Sequence, residues 1–594
     1  RAQRTAGLMA LASLAVVVPL LTAALLAGTT SLRARRVADV VALTAAAATA
    51  GLCLVLVARS SDDAIVAWLG GWTPRDGIAL GIDLYVDPVS AGLAGFAAVL
   101  TVAGLLVAWH QVDTAGHLFH ALVLTFLAGM VGFCLSGDLF TAFVFFELMS
   151  VSAYALAGFR VEARAPVEGS LSFAVTNSVG SLMLLFGIAL VYGRTGALNL
   201  AQIGAALDSR SPDALVAVAF ALVTCGFFVK AAIVPFHFWM ADAYAVAPTS
   251  ICLLFAGAMS ELGLYGVARV YWTAFAGPLG PHAEALRDTL LVLGLVTALL
   301  GAVMCAAQRH LKRLAAFATV AHMGLLLCGI ALLSHAALAG VAVFVVGDGL
   351  VKASLFVAVG ALELRRGSVD EAALYGRGRD LKALGAVFAV TGLALAALPP
   401  FGPFLGRAMI EDAATKQGLG WIAPILVVAS ALVGGGVLRV VRTVFLGRGP
   451  QPPPHPACRE AGAEETELER GRAPWATIAT GTTLLVLGLA WGLVPGLIDA
   501  ATHAAARFTD PAGYAASVLH GSAANAPAPR GEPPTRAAWL YGLASGVLAI
   551  GFALLRTMPE GPLRALHSGR IGDYVAWAAV GAAAIASVFA LTLA

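Results

Sequence analysis

The chain is 594 residues long, 59% hydrophobic and only 12% charged, with a mean hydropathy of +0.87, whereas ordinary soluble domains are about one quarter charged. That composition excludes a soluble domain of ordinary make-up and predicts an integral membrane protein. The formal net charge of +3 is small for the length and implies no polyanionic partner, nucleic acid included.

Apolar segments long enough to span a bilayer recur about sixteen times, a span needing roughly twenty residues. They cover 7–27, 37–58, 88–109, 117–136, 138–159, 170–193, 214–236, 249–272, 286–308, 314–334, 336–362, 384–410, 419–445, 475–499, 537–556 and 573–594. The first follows Arg1 and Arg4 and lacks a convincing small-residue cleavage site, so it reads as a retained helix and not a signal peptide. Between the second and third runs, GWTPRDGIALGIDLYVDP has the Gly, Pro and Asp spacing of a short hairpin or extended loop. Glu147 lies nine residues after Asp138 in DLFTAFVFFELMSVSAYALAGF, well inside a span. A buried carboxylate without a partner is pushed neutral, whereas one near a cation keeps its charge.

The stretch 225–269 then places Lys230 inside an apolar run, breaks that run at Pro235, and resumes with a second run carrying Glu261. A charge near the bilayer centre costs roughly 2.5 to more than 10 kcal/mol, so such residues usually face a protein interior or a water-filled path. Proline removes a helical hydrogen bond and leaves carbonyls that only protein or cavity water can satisfy. Together these features point to an ion pathway. The competing reading is a lysine that snorkels from near a helix end.

Farther on, Arg309, His310, Lys312 and Arg313 read as a solvated, orientation-setting loop. His322 follows them inside a span, where it is either a proton-exchanging group or a satisfied structural histidine. Asp348 and Lys352 stand at i and i+4 on one helical face, either as a self-neutralising pair or as part of a relay. The run 392–414 echoes the first broken segment, with Pro399, Pro400, Gly402 and Pro403 followed by Arg407, which makes Lys230 and Arg407 expected counterparts. Residues 446–474 are proline-rich, then acidic, and read as an exposed linker. It separates a compact core from a C-terminal appendage of about three spans, in which 500–535 suggest an amphipathic piece along the membrane surface.

Cys53, Cys134, Cys225, Cys252, Cys305, Cys328 and Cys458 show no metal-ligand spacing, and six of the seven sit in apolar runs as small hydrophobes. Signatures for an Fe–S cluster, haem, flavin or phosphate loop do not occur. No nucleophile–base pair stands out either. The chain is therefore expected to hold no cofactor, no metal and no catalytic centre of its own.

The segments DLFTAFVFFELMSVSAYALAGF, VTNSVGSLMLLFGIALVYGRTGALNLAQI, VKAAIVPFHFWMADAYAVAPTS, LKRLAAFATVAHMG, DGLVKASLF and LPPFGPFLGRAMIEDA, in this order, resemble the antiporter-like, proton-conducting membrane subunits of respiratory complex I, membrane-bound hydrogenases and multisubunit sodium/proton antiporters. The likeness covers roughly 75–445, and HSGRIGDYVAW resembles the C-terminal end of the longer members. It implies an all-α fold of about fourteen core transmembrane helices. These would contain two inverted five-helix repeats, 117–272 and 286–445, preceded by helices and a hairpin-like loop in 1–116. The seventh and twelfth helices would be broken, at Pro235 and at Pro399–Pro400. Residues 446–474 then form the linker and 475–594 the C-terminal helices, about two of them beyond the family core.

The same resemblance implies a proton pathway through Glu147, Lys230, Glu261, His322, Asp348, Lys352 and Arg407. Glu147 and Lys230 match the family's paired glutamate and lysine, and Lys352 its central lysine. Three positions depart from the pattern: Glu261 where many relatives have lysine, Asp348 where many have histidine, and Arg407 where a titratable residue is usual. Arginine stays protonated in proteins, so it attracts or repels protons without relaying one.

The implied function is a multi-pass, cell-membrane subunit of an ion-pumping complex that moves protons, with sodium as a second candidate ion. Its implied partners are the bilayer, other membrane subunits and a peripheral redox module with Fe–S clusters, of the NADH–quinone oxidoreductase or hydrogenase kind. On that reading it is a translocase subunit. A sodium/proton antiporter subunit and a non-conducting scaffold are the two alternatives.

Overall fold

A computed structural model describes residues 2–29, 35–61, 63–109, 116–208, 213–450, 475–522, 529–555 and 569–593. Most of the expected linker, Cys458 and the first two residues of HSGRIGDYVAW fall outside these ranges. Hydrocarbon offers no partner for a backbone amide, so spanning segments close their hydrogen bonds internally as helices. Among the described residues, 15 helices are long and apolar enough to cross a membrane. The run expected at 384–410 is instead two shorter helices separated by a break.

Helices α1 (Ala2–Gly28) and α2 (Arg35–Ser60) lead into strands β1 (Ile65–Trp68) and β2 (Asp83–Val86), paired antiparallel with Ile65 opposite Val86. The Gly/Pro/Asp-rich stretch, expected as a short hairpin or extended loop, supplies the second of these strands and the connection before it. Asp87 then caps α3 (Pro88–Ala108) by accepting from the Ser90 amide at 2.8 Å, which satisfies one of the free amides at a helix start. α4 (Gly116–Leu135), α5 (Leu139–Ala157), α6 (Arg164–Thr195) and the short α7 (Leu200–Asp208) follow. The hairpin is tied to the start of α5, where the Gly137 amide donates to the Asp83 carbonyl at 3.0 Å.

α8 (Ala214–Ala231) stops at Ala232, a residue in the left-handed region with φ 53°, and the chain resumes as α9 (Phe238–Val246). Protein satisfies the freed amides: Ile233 donates to the Phe228 carbonyl at 3.1 Å and Val234 to Thr297 Oγ1 at 3.1 Å. The span α10 (Thr249–Phe275) carries a π-helical turn at Phe255–Met259, immediately before Ser260 and Glu261. Such turns are frequent at functional positions. α11 (Ala283–Ala307), α12 (Leu311–Ala331) and α13 (His335–Arg366) come next. α10 and α12 are the most enclosed spans, their best apolar windows wholly buried inside the protein.

The second break separates α14 (Lys382–Leu395) from α15 (Gly402–Lys416), and here Ala397 takes the left-handed conformation with φ 54°. Ala232 stands three residues before Pro235 and Ala397 three before Pro400, so the two breaks share a register. That register overturns one expectation. Lys230 lies before its break and corresponds to Leu395, whereas Arg407 lies after the other break, inside α15.

α16 (Ile422–Phe445), α17 (Trp475–Leu493), α18 (Leu497–Phe508), α19 (Pro511–His520), α20 (Arg536–Leu554) and α21 (Ile571–Thr592) complete the fold. The C-terminal spans are not an appendage separate from the core: α17 packs on α13, α20 on α16, and α21 on α6 and α8. Each of the last two meets a helix break with a glycine. A Cβ on Gly581 would come within 2.3 Å of Pro235, and one on Gly542 within 2.9 Å of Pro399. Small residues are what let helix backbones approach this closely in a membrane.

Candidate functional site

The charged residues singled out from the sequence fall into three groups. The first joins α5, α6 and α8. Lys230, fully buried in the last turn of α8, donates to Ser150 Oγ at 2.7 Å, and its Nζ lies 4.9 Å from the centre of the Phe146 ring. Glu147, one turn before Ser150, accepts a hydrogen bond from Ser181 on α6. Glu147 and the serine that holds Lys230 are therefore one turn apart on α5, the lysine and the glutamate do not bond directly, and the half-buried Glu147 is the acid whose charge acts on Lys230.

The second group is continuous. Lys352 on α13 lies 2.8 Å from Glu261 on α10 and 3.0 Å from Asp348 one turn earlier. Asp348 in turn lies 2.7 Å from Nδ1 of His322 on α12. All four side chains are buried, with exposures of 2% or less. One Glu261 oxygen and His322 Nε2 have no hydrogen-bond partner, so each end of the chain keeps an unused polar atom. Charge separation inside low-dielectric protein is expensive unless the partners are this close. Here two carboxylates flank one ammonium, and the imidazole completes the set.

The third group lies beyond the second break. Arg407, 0% exposed, reaches the Ala396 carbonyl at 3.4 Å and Ser545 Oγ on α20 at 3.2 Å. Its Nε is 3.2 Å from Glu411 one turn later. That contact lacks hydrogen-bond alignment, and neither Glu411 oxygen accepts a hydrogen bond. The neighbouring Asp412 faces elsewhere, accepting from the Thr535 hydroxyl at 2.6 Å.

Polar and aromatic residues fill the intervals. Trp239 stacks on Phe173 with centroids 4.3 Å apart and donates to the Val229 carbonyl at 2.8 Å. Tyr244 and Ser260 share a hydrogen bond at 3.1 Å, one residue from Glu261. On the other side Phe344 meets His322 edge-on at 5.4 Å, and Gly406, the residue before Arg407, packs on the Phe344 backbone.

The structure thus brings Glu261, His322, Asp348 and Lys352 into contact, joins Lys230 to Ser150 one turn from Glu147, and sets Arg407 with Glu411. Sequence reasoning missed Ser150, Ser181, Tyr244, Ser260 and Ser545. Serines in apolar spans are usually absorbed by the helix's own carbonyls, which hides those that serve a neighbour. It also misread the basic stretch before α12. Lys312 is 1% exposed, 3.4 Å from Glu363 and 3.3 Å from the Ala247 carbonyl, so it is a buried brace and not a solvated loop residue. Among the described residues no group of three or more His, Cys, Asp or Glu side chains could hold a metal ion.

Residues 136–433 match the family described as NADH:quinone oxidoreductase/Mrp antiporter, TM. The chain is 30% identical over 394 residues to NADH-quinone oxidoreductase subunit N of Desulforudis audaxviator, covering 65% of this chain and 76% of that one. It is 28% identical over 396 residues to a subunit of the Na(+)/H(+) antiporter of Bacillus subtilis, covering 65% and 77%. Among solved structures, a chain of the Mrp complex from a Dietzia species superposes with a TM-score of 0.75 at 27% identity, covering 86% of this chain and 99% of that one.

Proposed function

Since the chain belongs to the family of membrane subunits common to NADH:quinone oxidoreductases and Mrp antiporters, we propose that it translocates protons along its three buried charge groups as one membrane subunit of a larger complex. The observation that carries this reading is the unbroken Glu261–Lys352–Asp348–His322 contact, buried on three separate spans. A purely structural ion pair needs two members. Four, with an unused polar atom at each end, are suited to handing a proton on.

In this reading a charge change beside the half-buried Glu147 alters the field at Lys230, whose ammonium is otherwise held by one hydroxyl and the Phe146 ring. A proton released there passes by Tyr244 and Ser260 to the second group. Arg407 keeps its charge and acts electrostatically, and Glu411 beside it is the group that gains and loses a proton. The driving chemistry lies in partners, proposed to be a peripheral module with Fe–S clusters.

We place the protein in the cytoplasmic membrane, with the end bearing Arg309, Arg313, Arg365, Arg366 and Lys382 facing the cytoplasm, because Lys and Arg concentrate in cytoplasmic connections. A second reading, a sodium/proton antiporter assembly, is supported by the likeness to the Bacillus subtilis protein and to the Dietzia Mrp chain. The test of conduction common to both is proton flux into vesicles from the reconstituted complex. Lys352→Met should stop it while assembly persists; undiminished flux in the assembled variant excludes the relay and favours a scaffold.

A further inference from the structure

A cleft of about 330 Å³ opens between the end of α13, the start of α14 and the start of α17. Val357, Leu384 and Ile478 make its apolar walls, and Arg365 and Lys382 stand at its rim. The third charged rim residue, Asp380, is engaged by Arg366. Among the described residues Lys382 has no ion-pair partner, and Arg365 feels the charge of Asp380 without a close ion pair. Inside the cleft Thr477 is 1% exposed, and its Oγ1 has no hydrogen-bond partner. None of these residues belongs to the three charge groups.

An apolar slot with two cations at the level where spans begin and end, neither in a close ion pair, and one buried hydroxyl left over, fits an amphiphile with an anionic head. We propose that this cleft binds an anionic phospholipid, its phosphate between Arg365 and Lys382, one acyl chain against Val357, Leu384 and Ile478, and a head or ester oxygen accepting from Thr477. The rim faces the same side as Arg309 and Lys312. Basic pockets between membrane helices on that kind of face hold anionic headgroups, each Lys or Arg near the surface adding about 1 kcal/mol.

The test compares phosphatidylglycerol with phosphatidylcholine on the full chain in its native complex, by native mass spectrometry of retained lipid and by thermal stability in nanodiscs of each. Wild type should retain phosphatidylglycerol preferentially. The double variant Arg365→Gln/Lys382→Gln should bind it about thirtyfold more weakly, the equivalent of two surface cations, and lose the extra thermal stability. Both side chains are partly or fully exposed, so folding is not at stake. Thr477→Val, which keeps shape and removes the hydroxyl, should weaken retention without abolishing the preference. Equal retention of both lipids by wild type, an unchanged preference in the double variant, no retained lipid at all, or the same stabilisation from inorganic phosphate alone would each overturn the assignment.

Discussion

Replacing Lys230 by methionine keeps most of its volume and removes a charge that sits 2.7 Å from Ser150 and over the Phe146 ring. Proton flux in reconstituted vesicles should be lost while the complex still assembles. Ser150→Ala should slow flux without abolishing it, since a hydrogen bond to a charged group is worth about 1.5–3 kcal/mol; a normal rate in Ser150→Ala would mean that Lys230 does not need that hydroxyl. For the second group, Lys352→Met alone leaves Asp348 and Glu261 buried beside each other, and Asp348→Asn alone removes one of the two carboxylates that hold Lys352. Removing one partner of a buried pair costs about 3–5 kcal/mol, and removing both is milder. Membrane abundance measured with flux separates the roles: low abundance of the single variants with recovery in the double one marks a brace, and normal abundance with no flux marks a relay. Arg407→Lys retains the charge and restores a titratable group, so flux should persist, whereas Arg407→Met and Glu411→Gln should both impair it. Wild-type flux from Glu411→Gln would remove the third group from the path.

At the scale of elements, the hairpin carries a pH signature. Burial, and then the charge of Asp138, push the Asp83 carboxyl up to about 8, against a hydrogen bond from Asn199 that favours its ionised form. A carboxyl with a raised folded value binds its proton in the folded state at pH values where the unfolded chain has lost it, so stability falls as pH rises from about 4 to about 8 and levels off above. Asp83→Asn should therefore raise thermal stability at pH 8, by a few kcal/mol at about 1.4 kcal/mol per pH unit, with the gain vanishing near pH 4; an equal gain at both values would locate the effect elsewhere. Gly581→Leu would drive a side chain into Pro235 and should reduce flux by displacing the first break. The hairpin and the spans were legible because hydropathy and Gly/Pro/Asp spacing are local signals. The docking of α20 and α21 on the two breaks was not, because it joins residues more than a hundred apart through glycines that look ordinary in sequence. The apparent match of Lys230 with Arg407 failed because both runs are apolar, proline-broken and basic; the left-handed alanines show which residues correspond.

At the scale of the whole molecule, C-terminal spans brace the charged core: Ser545 of α20 receives Arg407, and Tyr574 of α21 donates to Asp242 at 2.9 Å, itself 3.1 Å from Arg313. The fold class could be read from composition because a membrane admits few architectures. Its coupling could not, because Glu147 is half-buried and, on the proposed reading, a partner subunit supplies the charge that acts on it. A neighbour's charge acts on Glu147 with little screening if water is excluded there, so isolating the chain should uncouple it even though every internal contact survives. Purification in mild detergent then distinguishes the two assemblies. Copurified iron with acid-labile sulfide indicates a redox-driven complex, in which flux requires an electron donor; small membrane proteins alone, with flux that responds to a sodium gradient, indicate an antiporter. Full proton flux from the chain reconstituted alone, with neither donor nor sodium gradient, would contradict both assemblies and show that Glu147 needs no neighbour.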